Sequence, residues 1–322
     1  MKIRLLSTLV LLGLSGVAQA ENLLDIYRQA QEKDPQLLQA KAVRDAAFEK
    51  IRETDAAQLP QINLNGNVGY QKTNDGDAKT AGSAGGGVGL TQALYRRSNW
   101  INSDLTAKQA AQSDVSYNLE KQDLILRTAQ AYFSVLSAQD NLEYIKANQQ
   151  ALKRQLDETQ QRYQVGMSAI TDVQEAQAAY DLATADAISA ENSLSNSYES
   201  LRQLTGSEHT QLATLDTQRF SPSKLSQPAT NWLKQAEDKN LSLHLARISK
   251  DIAKQQIDLA QSGYAPTVDL NAGLNSTYTD YKNSGAGYND GTLNSANVSV
   301  NFAVPLYTGG ALDSRVKQAQ FN

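Results

Sequence analysis

The 322-residue chain has no cysteine, so no disulfide can staple it and its stability must rest on packing or assembly. Histidine is almost as scarce. His209 and His244 are the only two, and neither stands at metal-ligand spacing with Asp or Glu. No P-loop and no G-x-S-x-G elbow occurs, and Gly85-Gly86-Gly87 with Gly89 lacks the following helix that a phosphate cradle needs. Carboxylate pairs such as Asp157-Glu158 or Asp186 with Glu191 fall on the polar faces of helical segments, where charges normally stay solvated. These absences argue against an enzyme and against any cofactor. An excess of positive charge is missing too: the formal charge is -4, which gives no general electrostatic claim on nucleic acid. After the first twenty positions no apolar run approaches the roughly 20 residues of a transmembrane helix, so any membrane crossing would need strands closed into a barrel.

Those first positions are different. Lys2 and Arg4 precede an apolar run from Leu5 to Val17 and then Ala18-Gln19-Ala20, the three parts of a secretory signal peptide. Residues 1–20 are therefore read as a cleaved signal, with a retained anchor as the alternative. The mature chain would begin at Glu21 and carry a formal charge of -6, since the segment removes two positive charges and no negative ones.

What the chain does have is an internal duplication. Residues from Asp25 to Asn65 return without a gap from Asn231 to Asn271, 206 positions later: Gln29 with Gln235, Leu37 with Leu243, Asp45 with Asp251, Ile51 with Ile257, Pro60 with Pro266. The match resumes at Leu94-Tyr95 and Leu306-Tyr307, now 212 apart, so the intervening loop has gained six residues. Each copy changes its hydrophobic period in the same order. Leu23 to about Gln58 shows helical spacing at Leu37, Ala40, Val43, Ala47 and Ile51, and Pro60 ends it. From 61 to about 71, Ile62, Leu64, Gly66, Val68 and Tyr70 alternate with asparagines and Gly69, which is period two.

A polar, glycine-rich loop is expected over Asn74 to Gly86, and a return strand over about 86–95. The second copy predicts strands at about 266–279 and 296–307 and the start of a long helix. A hairpin with one apolar face, one small polar face and a terminal aromatic fits a transmembrane barrel, with Tyr70 or Tyr95 as interface anchor. A soluble sandwich hairpin has the same period. The duplication, the export signal and the length of the flanking helices favour the barrel.

Between about Ser98 and Gly206 there is no proline, and Gly166 is the only interior glycine. The first helix, to about Gln164, would be on the order of 100 Å long. Beyond Gly166, Val173, Tyr180, Ala187, Leu194 and Leu201 recur every seven residues, with Ala176, Ala183, Ala190, Ser197 and Leu204 as the partner series. The first helix offers Leu105, Gln112, Leu119, Leu126 and Phe133, then Leu152, Leu156 and Tyr163. An antiparallel helical coil with its turn at Val165-Gly166-Met167-Ser168 follows. Just past the turn, Thr171 can cap the second helix and Asp172 suits its positive end. Residues 207–228 read as an irregular linker between copies.

The fold class is thus α+β, a duplicated strand hairpin plus long antiparallel helical hairpin. Four strands per chain cannot close a barrel, since known barrels start at about eight. Two chains would supply eight strands and three would supply twelve.

The residues also carry a family resemblance. Glu21-Asn22-Leu23-Leu24, Arg44-Asp45-Ala46-Ala47-Phe48-Glu49-Lys50-Ile51, Leu59-Pro60-Gln61, Ala131-Tyr132-Phe133, Ala169-Ile170-Thr171-Asp172-Val173-Gln174, Leu201-Arg202-Gln203-Leu204-Thr205-Gly206 and Pro305-Leu306-Tyr307-Thr308-Gly309-Gly310 closely resemble the outer membrane efflux protein family across the whole mature chain. The resemblance implies a homotrimer with a twelve-stranded outer-membrane barrel continued by a periplasmic α-helical tunnel. It implies export of drugs, bile salts or proteins when a periplasmic adaptor (membrane fusion protein) and an inner-membrane pump dock. Outer-membrane lipid would be the surrounding solvent, and 207–228 would lie in an equatorial region. Thr171 and Asp172 match the family's entrance constriction, and Gly166, Met167, Ser168 and Ala169 match its adaptor-docking tip. The family's second coil and its narrowest aspartate ring would lie beyond Asn322, so the chain is expected to be C-terminally truncated, with 229–322 an incomplete second repeat. The competing expectation is an elongated periplasmic or surface coiled-coil protein, structural or adaptor, without a channel.

Overall fold

The computed structural model describes residues 20–75, 77–215, 228–282 and 290–322. The signal segment up to residue 19, loop residue Gly76, linker residues 216–227 and loop residues 283–289 lie outside the described residues. In chain order the elements are α1 (Leu23–Lys33), α2 (Pro35–Asp55), β1 (Gln61–Asp75), β2 (Asp77–Arg96), α3 (Arg97–Gln164), α4 (Ile170–Thr205), α5 (Ala229–Lys239), α6 (Leu241–Gln261), β3 (Thr267–Lys282), β4 (Gly291–Ala303) and α7 (Ala311–Phe321). Among the described residues no helix is long and apolar enough to cross a membrane.

The helix expected from Leu23 to Gln58 is broken at Asp34, which is extended with φ -60° and ψ 121°. Pro35 explains the break: its ring disfavours helical backbone at the preceding residue while suiting the first turn of the next helix. Asp34 turns the break to use, accepting a hydrogen bond from the Leu37 amide at 2.8 Å. A short 3₁₀ turn over Ala56–Gln58 closes α2 before Pro60. The corresponding break in the second copy falls at Asn240, whose side chain accepts from the Leu243 amide.

The chain packs as two units, divided within α2 and α3. The described parts of Met1–Lys41 and Tyr117–Trp232 form the first. Its core joins Ile26 of α1 to Tyr132, Val135 and Leu136 of α3, Leu201 of α4 and Leu212. A second cluster joins Ala30, Leu37 and Leu124. Full burial of a side chain such as Ile26 or Leu201 contributes about 1.5–3 kcal/mol. The α4 seam lies where the seven-residue repeat puts it: Ala176, Ala183, Ala187, Ala190 and Leu201 are all buried. Small residues there let α3 approach, and the pair is cross-tied by Gln149 to Thr184 at 3.0 Å, Gln139 to Tyr198 at 2.6 Å and a Lys146–Glu191 ion pair at 2.8 Å. On α3 the expected series is wrong in this stretch. Leu126 and Phe133 are exposed, and Leu124, Thr128, Tyr132 and Val135 are buried instead. A straight helix at 3.6 residues per turn drifts from a strict seven-residue repeat. Here the inward face is also set by α1 and the segment around Leu212, which the helix sequence does not reveal.

Charge joins α1–α2 to α3. Arg127 makes a two-pronged pair with Asp34, both bonds 3.0 Å, and also reaches Glu120 and Asp123 at 2.7 Å. The Asp34 hydrogen bonds hold the Arg127 guanidinium above its ordinary range.

The second unit, the described parts of Ala42–Ser116 and Leu233–Asn322, holds the sheet. The four strands form one antiparallel meander in the order β1-β2-β3-β4, so the two copies' hairpins are zipped together through β2 and β3. The strands are longer than the apolar alternation predicts. β1 pairs from Gln61 through Asp75, and β2 begins at Asp77 within the stretch expected to be loop. Ladder bonds need only backbone, and β2 has a partner on each side, so Ala, Gly, Ser and Thr suffice. β4 runs from 291 to 303, where 296–307 was expected, ending ahead of Pro305. Below the sheet, Arg44 meets Asp114 at 2.6 Å, Ser103 meets Asp55 at 2.5 Å, and Lys108 reaches Gln255. α7 packs on the turn after α6 so closely that a Cβ on Gly263 would sit 2.6 Å from Leu312 Cδ2.

Candidate functional site

The strand register sorts side chains onto two faces. One face reads across the sheet as Ile62, Leu90, Ala272, Val298 and then Leu64, Val88, Leu274, Ala296. Large apolar groups stand out from it: Leu64 is 84% exposed, Val68 89% and Val298 76%. The other face reads Asn63, Gly89, Gly273, Asn297 and then Asn65, Gly87, Asn275, Ser295. A sheet that leaves its apolar face uncovered departs from a water-soluble sandwich, which buries that face against a second sheet. At one end Tyr95 packs edge-on against Trp100, ring centroids 5.2 Å apart, beside a β-bulge at Ala93–Tyr95. β1 and β4 each leave one side of their backbone unpaired within the described residues.

At the turn between α3 and α4, Met167 N–H reaches back to Arg162 O at 2.8 Å, and Gly166 takes a φ of 77° that favours glycine. Gly166, Met167 and Ala169 are exposed, as are Val165 and Ile170, and Ser168 is half-buried. The sequence expected Thr171 to cap α4. The cap position is Ala169, which has no side-chain acceptor, and Asp172 does the work from within the first turn. Its Oδ2 accepts from Ser168 Oγ at 2.7 Å and from the Ala169 amide at 3.1 Å. The Ser168 bond first, and then the Ala169 amide, hold its carboxyl below the usual range. Ser168, Ala169 and Asp172 are thus brought together, while exposed Thr171 contributes least to holding the Asp172 carboxyl down.

A cluster that the sequence did not announce lies in the first unit. His209 is buried, with Nδ1 on Glu21 Oε2 and Nε2 2.7 Å from the buried Thr205 hydroxyl. Gln29 donates to the other Glu21 oxygen at 2.9 Å. The Glu21 backbone pairs with Gln211 and Ala213, and Tyr132 donates to Ala213 O. Burial raises the Glu21 carboxyl, but the His209 and Gln29 hydrogen bonds and the His209 charge outweigh it and leave the group below its ordinary value. His209 is therefore a buried packing partner of Glu21, and residues 207–213 form part of the first unit. A carboxylate 188 positions from a histidine leaves no local signal; the lone histidine in a polar segment was the only available hint.

Comparisons with known proteins place these features. The family model for the outer membrane efflux protein matches residues 26–207 and 232–322. The chain is 47% identical to outer membrane protein TolC of Vibrio cholerae over 96% of its own length and 70% of that protein. It is 43% identical to outer membrane protein TolC of Escherichia coli over 98% of its length and 65% of that protein. The chain therefore spans about two thirds of the length of these curated relatives. Among solved structures, CusC, described in connection with folding and transmembrane channel formation, superposes with a TM-score of 0.72 at 17% identity, covering 93% of this chain and 69% of that one.

Proposed function

This chain belongs to the outer membrane efflux protein family, and on that premise we propose that it is a subunit of an outer-membrane exit duct serving efflux and type I secretion. The observation that carries the reading is the two-faced sheet: an exposed face of Leu, Val and Phe for lipid, a face of Asn, Gly and Ser for water, and two open edges. In hydrocarbon each unpaired backbone group would cost several kcal/mol, so the edges of β1 and β4 must meet other strands. Copies of the same chain are the simplest supply. Three copies give twelve strands and a bore wide enough for water, which supports a homotrimer.

The chemistry asked of such a protein is passive. Drugs, bile salts or unfolded proteins would pass through, delivered by an inner-membrane pump through a periplasmic adaptor. The exposed tip, Gly166 to Ala169 with Val165 and Ile170 beside it, suits adaptor docking because apolar groups are presented there on a rigid turn. Thr171 and Asp172 serve the entrance constriction. Asp172 is an accessible carboxylate held ionised by its tip contacts, available to a hydroxyl or basic group of a neighbouring coil. Gating is then a change of coil packing with no bond made or broken.

Single-channel recording from the purified protein in planar bilayers tests both levels. A duct gives discrete conductance steps, and Asp172→Ala raises the step size. Steps unchanged by that substitution would remove Asp172 from gating; no conductance from folded protein would remove the duct.

A further inference from the structure

The water-side face of the sheet has a property beyond polarity: over most of its length it carries no charge. From the rung Gln61–Thr91–Asn271–Ser299 to the rung Gln71–Ala81–Tyr281, that face holds amides, hydroxyls, glycines, Ala81, Leu293 and Tyr281, with no acidic or basic side chain. The amides lie low. A Cβ on Gly87 would fall 2.0 Å from Asn275 Oδ1, and one on Gly273 would fall 2.8 Å from Asn297 Oδ1, so each asparagine side chain rests across the glycine of the next strand. The result is a smooth, neutral lining.

At the end of this stretch away from the hairpin tips, charge returns to the face, and it appears cancelled. Asp269 lies on the same face as Asn271, and Arg96 on the same face as Thr267, its ladder partner. Arg96 Nη2 contacts both Asp269 oxygens, at 2.9 and 3.1 Å. The pair is not buried deeply enough to act as a core staple: the Arg96 side chain is 44% exposed and that of Asp269 22%. Exposed ion pairs of this kind add little to stability, so a role in holding the fold does not account for it well.

We infer that Arg96 and Asp269 are a specificity-setting pair of the lumen, whose mutual cancellation keeps this stretch of the barrel lining neutral so that cargo of either charge passes it. This rests on the exit-duct reading. Charged rings are how pores discriminate ions, and a fixed charge in a water-filled bore acts on passing ions within about a Debye length, roughly 8–10 Å at ordinary ionic strength. A net charge of one sign at Arg96–Asp269, repeated by every subunit, would form such a ring. Any charge preference of the native duct then arises outside this stretch of the lining.

The test is the reversal potential of the reconstituted channel in a salt gradient. Arg96→Gln leaves Asp269 unbalanced and should shift the potassium-to-chloride permeability ratio toward the cation by about twofold or more. Asp269→Asn should shift it toward the anion by a similar factor, and the double variant should return to the wild-type ratio. Asn275→Asp and Asn275→Lys, exposed substitutions that leave the pair intact, should also move the ratio in opposite directions. They guard against a misfolded pair variant. Single variants that leave the ratio unchanged, or that shift it in the same direction, would overturn the inference while the channel itself still conducts. Loss of all conductance in folded wild-type protein would instead overturn the duct.

Discussion

Removing Arg127 should destabilise the first unit more than removing the carboxylate it holds. The Asp34 side chain is 2% exposed, and its charge is compensated by two guanidinium bonds of 3.0 Å and by the Leu37 amide at 2.8 Å. Arg127→Leu takes away both guanidinium bonds and leaves a buried carboxylate without its counter-ion, held only by the Leu37 amide, at a cost of about 3–5 kcal/mol. Asp34→Asn keeps an oxygen for the Leu37 amide. It leaves Arg127 with Glu120 and Asp123 and partly in solvent, so the loss should be about 1–3 kcal/mol. The double variant Asp34→Asn/Arg127→Leu no longer buries a charge and should be more stable than Arg127→Leu alone. Urea unfolding of detergent-solubilised protein, followed by far-UV circular dichroism at constant m value, gives the three differences. Arg127→Leu within about 1 kcal/mol of wild type, or a double variant no more stable than Arg127→Leu, would refute the claim that this pair locks the α1–α2 break onto α3.

Other consequences follow from single positions. Glu21→Gln should lower stability by on the order of 1 kcal/mol at neutral pH through the weakened His209 and Gln29 contacts, a modest figure because Glu21 is partly solvated. Because the folded carboxyl titrates below its ordinary value of 4.5, that contribution is complete above this pH. It fades as the pH falls through the lower folded value, so wild type and variant should converge in acid; a gap that widens there would contradict the assignment. Gly206 ends α4 with φ 64°, and its amide bonds Arg202 O at 2.7 Å. Gly206→Ala should cost about 1–2 kcal/mol in the same unfolding measurement, with Gly206→Asn milder. Ser168→Ala should weaken the Asp172 contact at the tip and raise the pH at which tip-dependent conductance titrates, whereas an unchanged profile would separate Ser168 from Asp172.

Much of the architecture was legible because it is written in periods. Alternation at Ile62 to Tyr70 and at Val298 to Phe302 marked strands, and the alanine heptads of α4 marked the face that is buried. The unread parts depend on partners remote in sequence. Leu126 and Phe133 look as good a stripe as Leu124 and Val135 until α1 is placed against one of them. The strand extension through 77–85 carries no apolar signal, since its stability comes from neighbouring backbones, β1 throughout and β3 from Thr80 onward. At the tip, Asp172 was identifiable from its place in the first turn, but its donor is Ser168, four residues back, and Thr171 plays the smaller part. Glu21 with His209, and Arg96 with Asp269, could not be paired from the sequence at all, lying 188 and 173 positions apart.

The most direct test is where the protein sediments and how it migrates. Cells expressing the chain are fractionated, and the protein is run on a denaturing gel with and without prior heating. A barrel-forming subunit should be recovered with outer-membrane lipid and show a heat-sensitive shift in mobility as the closed sheet unfolds. A protein extracted in the soluble fraction, with identical mobility before and after heating, would contradict the assignment of the exposed Leu64–Val68–Val298 face to lipid and the duct with it.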